Sequence, residues 1–137
     1  MPKVSRRAIH VLIIDAYDER EMYAEAFRKH GLTVSTASTA AEGLTRFGQR
    51  QADVIVQGFV LPDMPGIELV TRLKVLAQMP IIVLSGFTDP STLGAIYAAG
   101  ADSVKLKPCL PDMLLGEVKR LFAARLRPRP RLRKLTP

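Results

Sequence analysis

Five short runs of β-branched and aliphatic residues, near residues 9–14, 32–36, 53–58, 80–85 and 102–106, alternate with five longer segments whose apolar residues recur at helical spacing. This alternation limits the fold more than any other property, because strands joined through helices pair in parallel as repeated βαβ units. The first, third and fourth runs are almost continuously apolar, as strands are when helices cover both faces of a sheet. The helices are expected near residues 18–30, 39–50, 66–77, 90–99 and 111–126. At 137 residues the chain has the length of one such domain with a single sizeable core.

Local signals place the helix ends. Asp18 followed by Glu21 predicts a cap for the first helix, Gly31 its end, Gly100 the end of the fourth, and Pro111 the start of the fifth. Met22, Tyr23, Ala26 and Phe27 form the expected apolar stripe of the first helix, and Met113, Leu114, Val118, Leu121 and Phe122 that of the fifth.

Four stretches carry chemistry in a fixed order. Val11-Leu12-Ile13-Ile14-Asp15 is a strand ending in an acid, and Val54-Ile55-Val56-Gln57-Gly58 leads into the turn Leu61-Pro62-Asp63-Met64-Pro65-Gly66. Ile81-Ile82-Val83-Leu84-Ser85-Gly86 ends in a hydroxyl residue, and Gly100 to Pro108 closes on Lys107-Pro108. Over roughly residues 8–124 this set resembles the receiver domain of two-component response regulators. The resemblance implies a flavodoxin-like fold, a five-stranded parallel sheet in a three-layer sandwich. Residues 1–126 would be the receiver-like domain and 127–137 a basic tail or linker.

In that family an Asp four residues before the Pro of the turn accepts a phosphoryl group, carboxylates on the first strand help to hold Mg²⁺, and the Lys and hydroxyl residues bind phosphoryl oxygens. Counting back from Pro62 lands on Gly58, and Ala16 stands where the second acid of the first strand belongs. Val104, three residues before Lys107, replaces the aromatic that relays the signal. Gln57 points to the opposite face by strand parity, and Asp53 begins its strand at the far end of the sheet. Asp63 is nearer, on the loop. One carboxylate is a poor site for Mg²⁺, which demands near-octahedral oxygen ligands. No metal, cofactor or catalytic residue is therefore expected, and the resemblance implies a pseudo-receiver that is not an enzyme.

The remnant pocket is Asp15, Ala16, Ser85 and Lys107, gathered where strand ends meet at the switch point of the sheet. Lys107 is expected to pair with Asp15, and Ser85 to be a hydrogen-bonded strand-end residue. The volume vacated at Gly58 either holds an anion or ordered water or is filled by Tyr17. The partner surface implied by the family is the fourth helix, fifth strand and fifth helix, with Leu93 and Tyr97 as contacts and a homodimer among its uses. His10 and His30 have no second ligand at metal spacing and read as structural or solvated.

Charge adds one feature. Of 20 basic residues, eight lie from Lys119 onward, where there is no acid, so the formal charge of +7 belongs to the C-terminal end. Arg and Pro alternate from Arg127 to Arg131, which predicts an extended or disordered tail capable of weak polyanion contact. The lone Cys109, the lack of a signal-peptide pattern and the lack of an apolar run near membrane-spanning length predict a cytoplasmic chain. Three functions compete: a phosphorylation-independent interaction module in two-component or phosphorelay signalling, a receiver phosphorylated at an unusual acceptor such as Asp63, and a nucleic-acid or membrane adaptor acting through the tail.

Overall fold

The computed structural model describes residues 7–126, so the expectations for the basic tail at 127–137 lie outside the described residues. Strands and helices alternate throughout: β1 (His10–Ile14), α1 (Glu19–Lys29), β2 (Thr33–Ala37), α2 (Ala40–Gln49), β3 (Val54–Gly58), α3 (Gly66–Leu76), β4 (Ile81–Ser85), α4 (Pro90–Ala98), β5 (Ser103–Leu106) and α5 (Pro111–Leu126). All pairings are parallel and the strand order is β2-β1-β3-β4-β5, the doubly wound order of the flavodoxin-like fold. The chain order reverses between β1 and β3.

Strand parity sorts the core into two layers. Val11, Ile13, Val54, Val56, Ile82 and Leu84 face Tyr23, Phe27, Leu114 and Val118 of α1 and α5. Leu12, Ile14, Ile55, Ile81 and Val83 face Phe47, Leu69, Leu73 and Ile96 of α2, α3 and α4. β1, β3 and β4 are buried along their whole length, which is why they read as unbroken apolar runs. Each large side chain buried there contributes about 1.5–3 kcal/mol of transfer free energy.

Three local expectations are corrected. Asp18 does not cap α1: its backbone is already helical and its side chain makes no capping bond, and the first turn closes through the backbone bonds Arg20 N–H to Tyr17 O and Glu21 N–H to Asp18 O. A residue with helical dihedrals cannot swing its carboxylate back onto the third amide of its own helix. Met22 and Met113 are about half exposed, and the buried stripes run instead through Tyr23, Ala24 and Phe27 and through Leu114, Leu115, Val118 and Leu121. Gly31 ends α1 as expected at φ 85°, where Leu32 N–H reaches back to Phe27 O.

Candidate functional site

Asp15, Gly58, Ser85 and Lys107 all stand at the carboxyl ends of their strands or one residue beyond, and the register brings them together. Ile14 pairs with Gln57, so Asp15 and Gly58 are the next step of the same ladder, while Ser85 pairs with Leu106 beside Lys107. The Asp15 carboxylate is fully buried. Lys107 Nζ donates to its Oδ2 at 3.0 Å, and the Tyr17 amide donates to its Oδ1 at 3.3 Å. Glu19 lies further from the same ammonium, at 3.9 Å. A buried carboxylate is thus matched by one ammonium and one amide.

Gly58 is not required by the backbone. Its φ is not positive, and a Cβ there would meet Asp15 Oδ1 at 3.4 Å and Val60 O at 3.5 Å, which is ordinary contact. Gly66 is the opposite case. A Cβ on it would lie 2.4 Å from Phe59 O and 2.6 Å from Gly58 O, so only glycine lets α3 start so close to the end of β3. Gln57, on the other face as parity predicts, fastens this turn by donating to Gly66 O at 2.9 Å.

Tyr17 does not fold into the space beside Gly58. Its ring remains half exposed and covers Lys107, with Nζ 4.7 Å from the ring centroid, a cation–π contact that holds the side chain at the rim. A recess of about 300 Å³ stays open between Tyr17, Phe59, Val60, Leu84, Phe87 and Lys107. The Phe59 and Phe87 rings meet edge to face across it, with centroids 5.5 Å apart. Ser85 is turned onto its own loop: Oγ accepts from Phe87 N–H at 3.0 Å and donates to Phe87 O at 3.2 Å.

The residues present do not fit a Mg²⁺ ion. Asp15 is engaged with Lys107, while Ala16 and Gly58 bring no side-chain oxygen to the cluster. Asp63, the alternative acceptor, faces away: its two oxygens accept from the Ala40 and Ala41 amides at 2.9 Å each, at the start of α2. These two N–H groups hold its carboxyl below the usual carboxylate range. Thr39 completes that cap by accepting from Glu42 N–H at 3.0 Å. The Thr39-x-x-Glu42 pattern signals half of this arrangement, but nothing local signals a contribution from Asp63.

Val104 has no aromatic ring, yet an aromatic still reaches β5. Tyr97 of α4 accepts the Val104 amide through its hydroxyl at 3.2 Å and stays half exposed, next to a Leu93 that is partly buried. Leu106 of β5, Leu110 after it and Met113 of α5 are exposed large apolar residues as well. At the start of β5, Ser103 donates to Glu117 of α5, which Arg120 also grips at 2.6 Å; chiefly for that reason the Glu117 carboxyl is pulled down to about 2. On the α1 side, Tyr23 donates to Cys109 O at 2.7 Å, and burial above all pushes its phenol up to about 12. Burial also raises the Cys109 thiol, which makes it a poor nucleophile.

Asp53 lies at the other end of the sheet, bound to His10 N–H at 2.8 Å and to Arg7 at 2.7 Å. His10 is structural, its ring nitrogens within hydrogen-bond distance of Thr33 and Ser35 hydroxyls. Among the described residues, no group of three His, Cys, Asp or Glu is placed to hold a metal, and no helix is long and apolar enough to cross a membrane.

A doubly wound sheet with its polar cluster at the β1/β3 switch point defines a class of α/β domain, and comparison with known proteins narrows it. The response regulator receiver domain family matches residues 11–119. The chain is 37% identical over 89 residues to the transcriptional regulatory protein KdpE of Mycobacterium tuberculosis (strain ATCC 25618 / H37Rv), covering 65% of this chain and 39% of the relative. It is 32% identical over 119 residues to the transcriptional regulatory protein PrrA of Mycobacterium leprae, covering 84% of this chain and 50% of the relative. It therefore spans half or less of the length of these curated relatives. The CheY-like response regulator receiver domain protein of Methanospirillum hungatei JF-1 superposes with a TM-score of 0.80 at 27% identity, covering 86% of this chain and 96% of that one. The chemotaxis response regulator CheY4 of Vibrio cholerae gives 0.79 at 28% identity, covering 84% and 99%. The chain belongs to the response regulator receiver family, the signalling domain of two-component systems.

Proposed function

We propose that this chain is a pseudo-receiver, a cytoplasmic protein-interaction module of a two-component or phosphorelay pathway that works without aspartyl phosphate and is not an enzyme. The observation that carries this reading is the Asp15–Lys107 pair at 3.0 Å with Gly58 beside it. Asp transfer chemistry needs a nucleophilic carboxylate, a metal to neutralise developing charge and a free cation for the phosphoryl oxygens. Here the nucleophile's position is glycine, and the ammonium is already matched by a buried carboxylate. The exposed surface of Tyr97, Leu106, Leu110 and Met113 is the natural place for a partner, a second copy included. A second reading, polyanion contact by the basic tail, is favoured by the acid-free run of eight bases from Lys119.

Incubation of the full chain with acetyl phosphate and Mg²⁺, followed by intact-mass spectrometry, tests the first reading. The expected spectrum is unchanged. A hydroxylamine-labile gain of one phosphoryl group overturns it, and mapping that group to Asp63 would establish the surrogate acceptor.

A further inference from the structure

In a parallel sheet with every crossover through a helix, all helix C-termini lie at the end where the strands begin. In this chain that end is basic. Arg28 and Lys29 occupy the last turn of α1, Arg46 that of α2 with Arg50 just beyond it, and Arg125 that of α5. Glu19, Glu21, Glu42, Glu68 and Asp112 stand at the opposite end, in the first turns of α1, α2, α3 and α5, whereas at the basic end Asp53 and Asp102 precede β3 and β5, and Asp102 is paired with Lys74 at 2.7 Å.

Three arginines at the basic end converge on one polar knot. Arg7 grips the Asp53 carboxylate through both terminal nitrogens, at 2.7 and 3.2 Å, and Arg125 approaches the Asp53 carbonyl at 3.5 Å. Arg50 donates at 3.1 Å to Thr33 Oγ1, itself 2.7 Å from the His10 ring. The His10 imidazole is held below its ordinary range by burial, then by the field of Arg50. The knot contains a single carboxylate, 10% exposed, so the guanidinium charge is left largely uncancelled toward solvent.

The knot also joins the two ends of the described chain. The basic residues Lys3 and Arg6 precede Arg7 in sequence, and Arg127, Arg129, Arg131, Arg133 and Lys134 follow Arg125. Arg7 and Arg125, near the two ends of the described residues, both touch Asp53.

We infer that the strand-start pole of the domain, centred on Arg7, Arg50 and Arg125, is a docking surface for the phosphodiester backbone of nucleic acid. The inference builds on the tail reading above by adding a folded surface to it, and it is independent of whether the Gly58 end takes phosphate. The residue type favours nucleic acid over a lipid surface. From Arg125 onward there are five Arg and one Lys, and the three folded cations are all Arg. A planar guanidinium fork pairs with phosphate oxygens two at a time, whereas an anionic membrane attracts lysine equally well. Among the described residues no helix or strand at this pole projects to read bases, so contact is to the backbone and independent of sequence.

The test uses the full chain and a fluorescein-labelled DNA duplex of about 20 base pairs, with anisotropy read between about 50 and 200 mM salt. Arg50→Gln with Arg125→Gln removes two cations and leaves the Arg7–Asp53 pair in place. Arg72→Gln with Lys105→Gln removes the same charge elsewhere, and thermal melts check that both variants fold. The pole variant should bind at least about tenfold more weakly at low salt, with a log–log salt slope smaller by about 1.8. The control should fall by far less. Deletion of residues 127–137 should weaken binding further but leave the pole variant's effect measurable. Equal losses in the two double variants would overturn the inference, as would loss on tail deletion with none in the pole variant. Binding to phosphatidylserine vesicles without binding to the duplex would overturn it in favour of a membrane surface.

Discussion

Replacing Gly58 by Ala and by Asp separates the two things that a side chain would add at the end of β3. A Cβ fits there at 3.4 Å from Asp15 Oδ1 without a positive φ to relieve, so Gly58→Ala should stabilise the protein by about 0.4–1 kcal/mol through the entropy of the unfolded chain. Gly58→Asp gains the same entropy term and places a second carboxylate about 4 Å from a buried one. Two such charges repel by about 4 kcal/mol at an effective dielectric of about 20. Lys107, 3.0 Å from Asp15, returns part of this by attracting both, which leaves a net penalty of roughly 1–3 kcal/mol relative to Gly58→Ala. For a chain of this size that is a difference in Tm of about 3–10 °C at pH 7, read by calorimetry without divalent cations. The two carboxylates escape the repulsion by sharing a proton, so the gap between variants should close as pH falls toward about 4. Mg²⁺ should narrow the gap only slightly, because Ala16 still leaves the metal short of a ligand. A Gly58→Asp protein as stable as Gly58→Ala, with no pH dependence in their difference, would refute this account, in which one ammonium cannot balance two carboxylates.

Two further outcomes follow from the same contacts. Glu117→Gln should lower Tm by about 3 °C at neutral pH, and because the folded carboxyl lies near 2 against 4.5 ordinarily, its contribution is complete above 4.5 and disappears as pH falls through 2; a deficit that persists at pH 2 would mean packing, not charge, sets it. Asp63→Ala should cost about 1 kcal/mol by uncapping α2, an effect visible in urea melts, with no change in the response to acetyl phosphate; an unchanged midpoint would show that Thr39 alone caps the helix.

How much of this was legible in the sequence depends on how local each cause is. The apolar runs of β1, β3 and β4 gave their strands within a residue, since a strand buried on both faces has little else to be. The Asp15–Lys107 contact joins residues far apart in sequence, yet it follows from strand ends meeting at one edge, so it was also readable. The Asp63 cap was not, because it depends on how the β3–α3 loop lies against α2. Sequence alone leaves Tyr17 between filling the pocket and leaving it open. Its position follows from the ammonium beneath the ring, a choice of rotamer on a loop that periodicity does not reach. Asp18 and Glu21 carried the letters of a cap without its geometry.

The departures at Gly58, Ala16 and Lys107 are better understood together than one at a time. Helix dipoles favour acids in first turns, and in a fold whose helices all start at one end those acids ring the strand ends that hold the pocket. A buried cluster of several carboxylates in such a ring is tolerable only with a cation of high charge among them, since each unmatched buried ion costs several kcal/mol. With Ala16 and Gly58 in place of acids, the buried charge falls to Asp15 alone, and one ammonium suffices. On the proposed pseudo-receiver reading, the Asp15–Lys107 pair is then balanced without metal, and the lysine is not expected to move when phosphate is offered. On the same reading, restoring a single acid breaks that balance without building a metal site, so Gly58→Asp alone is expected to stay inert toward acetyl phosphate while Gly58→Asp with Ala16→Asp gains the better chance of phosphorylation.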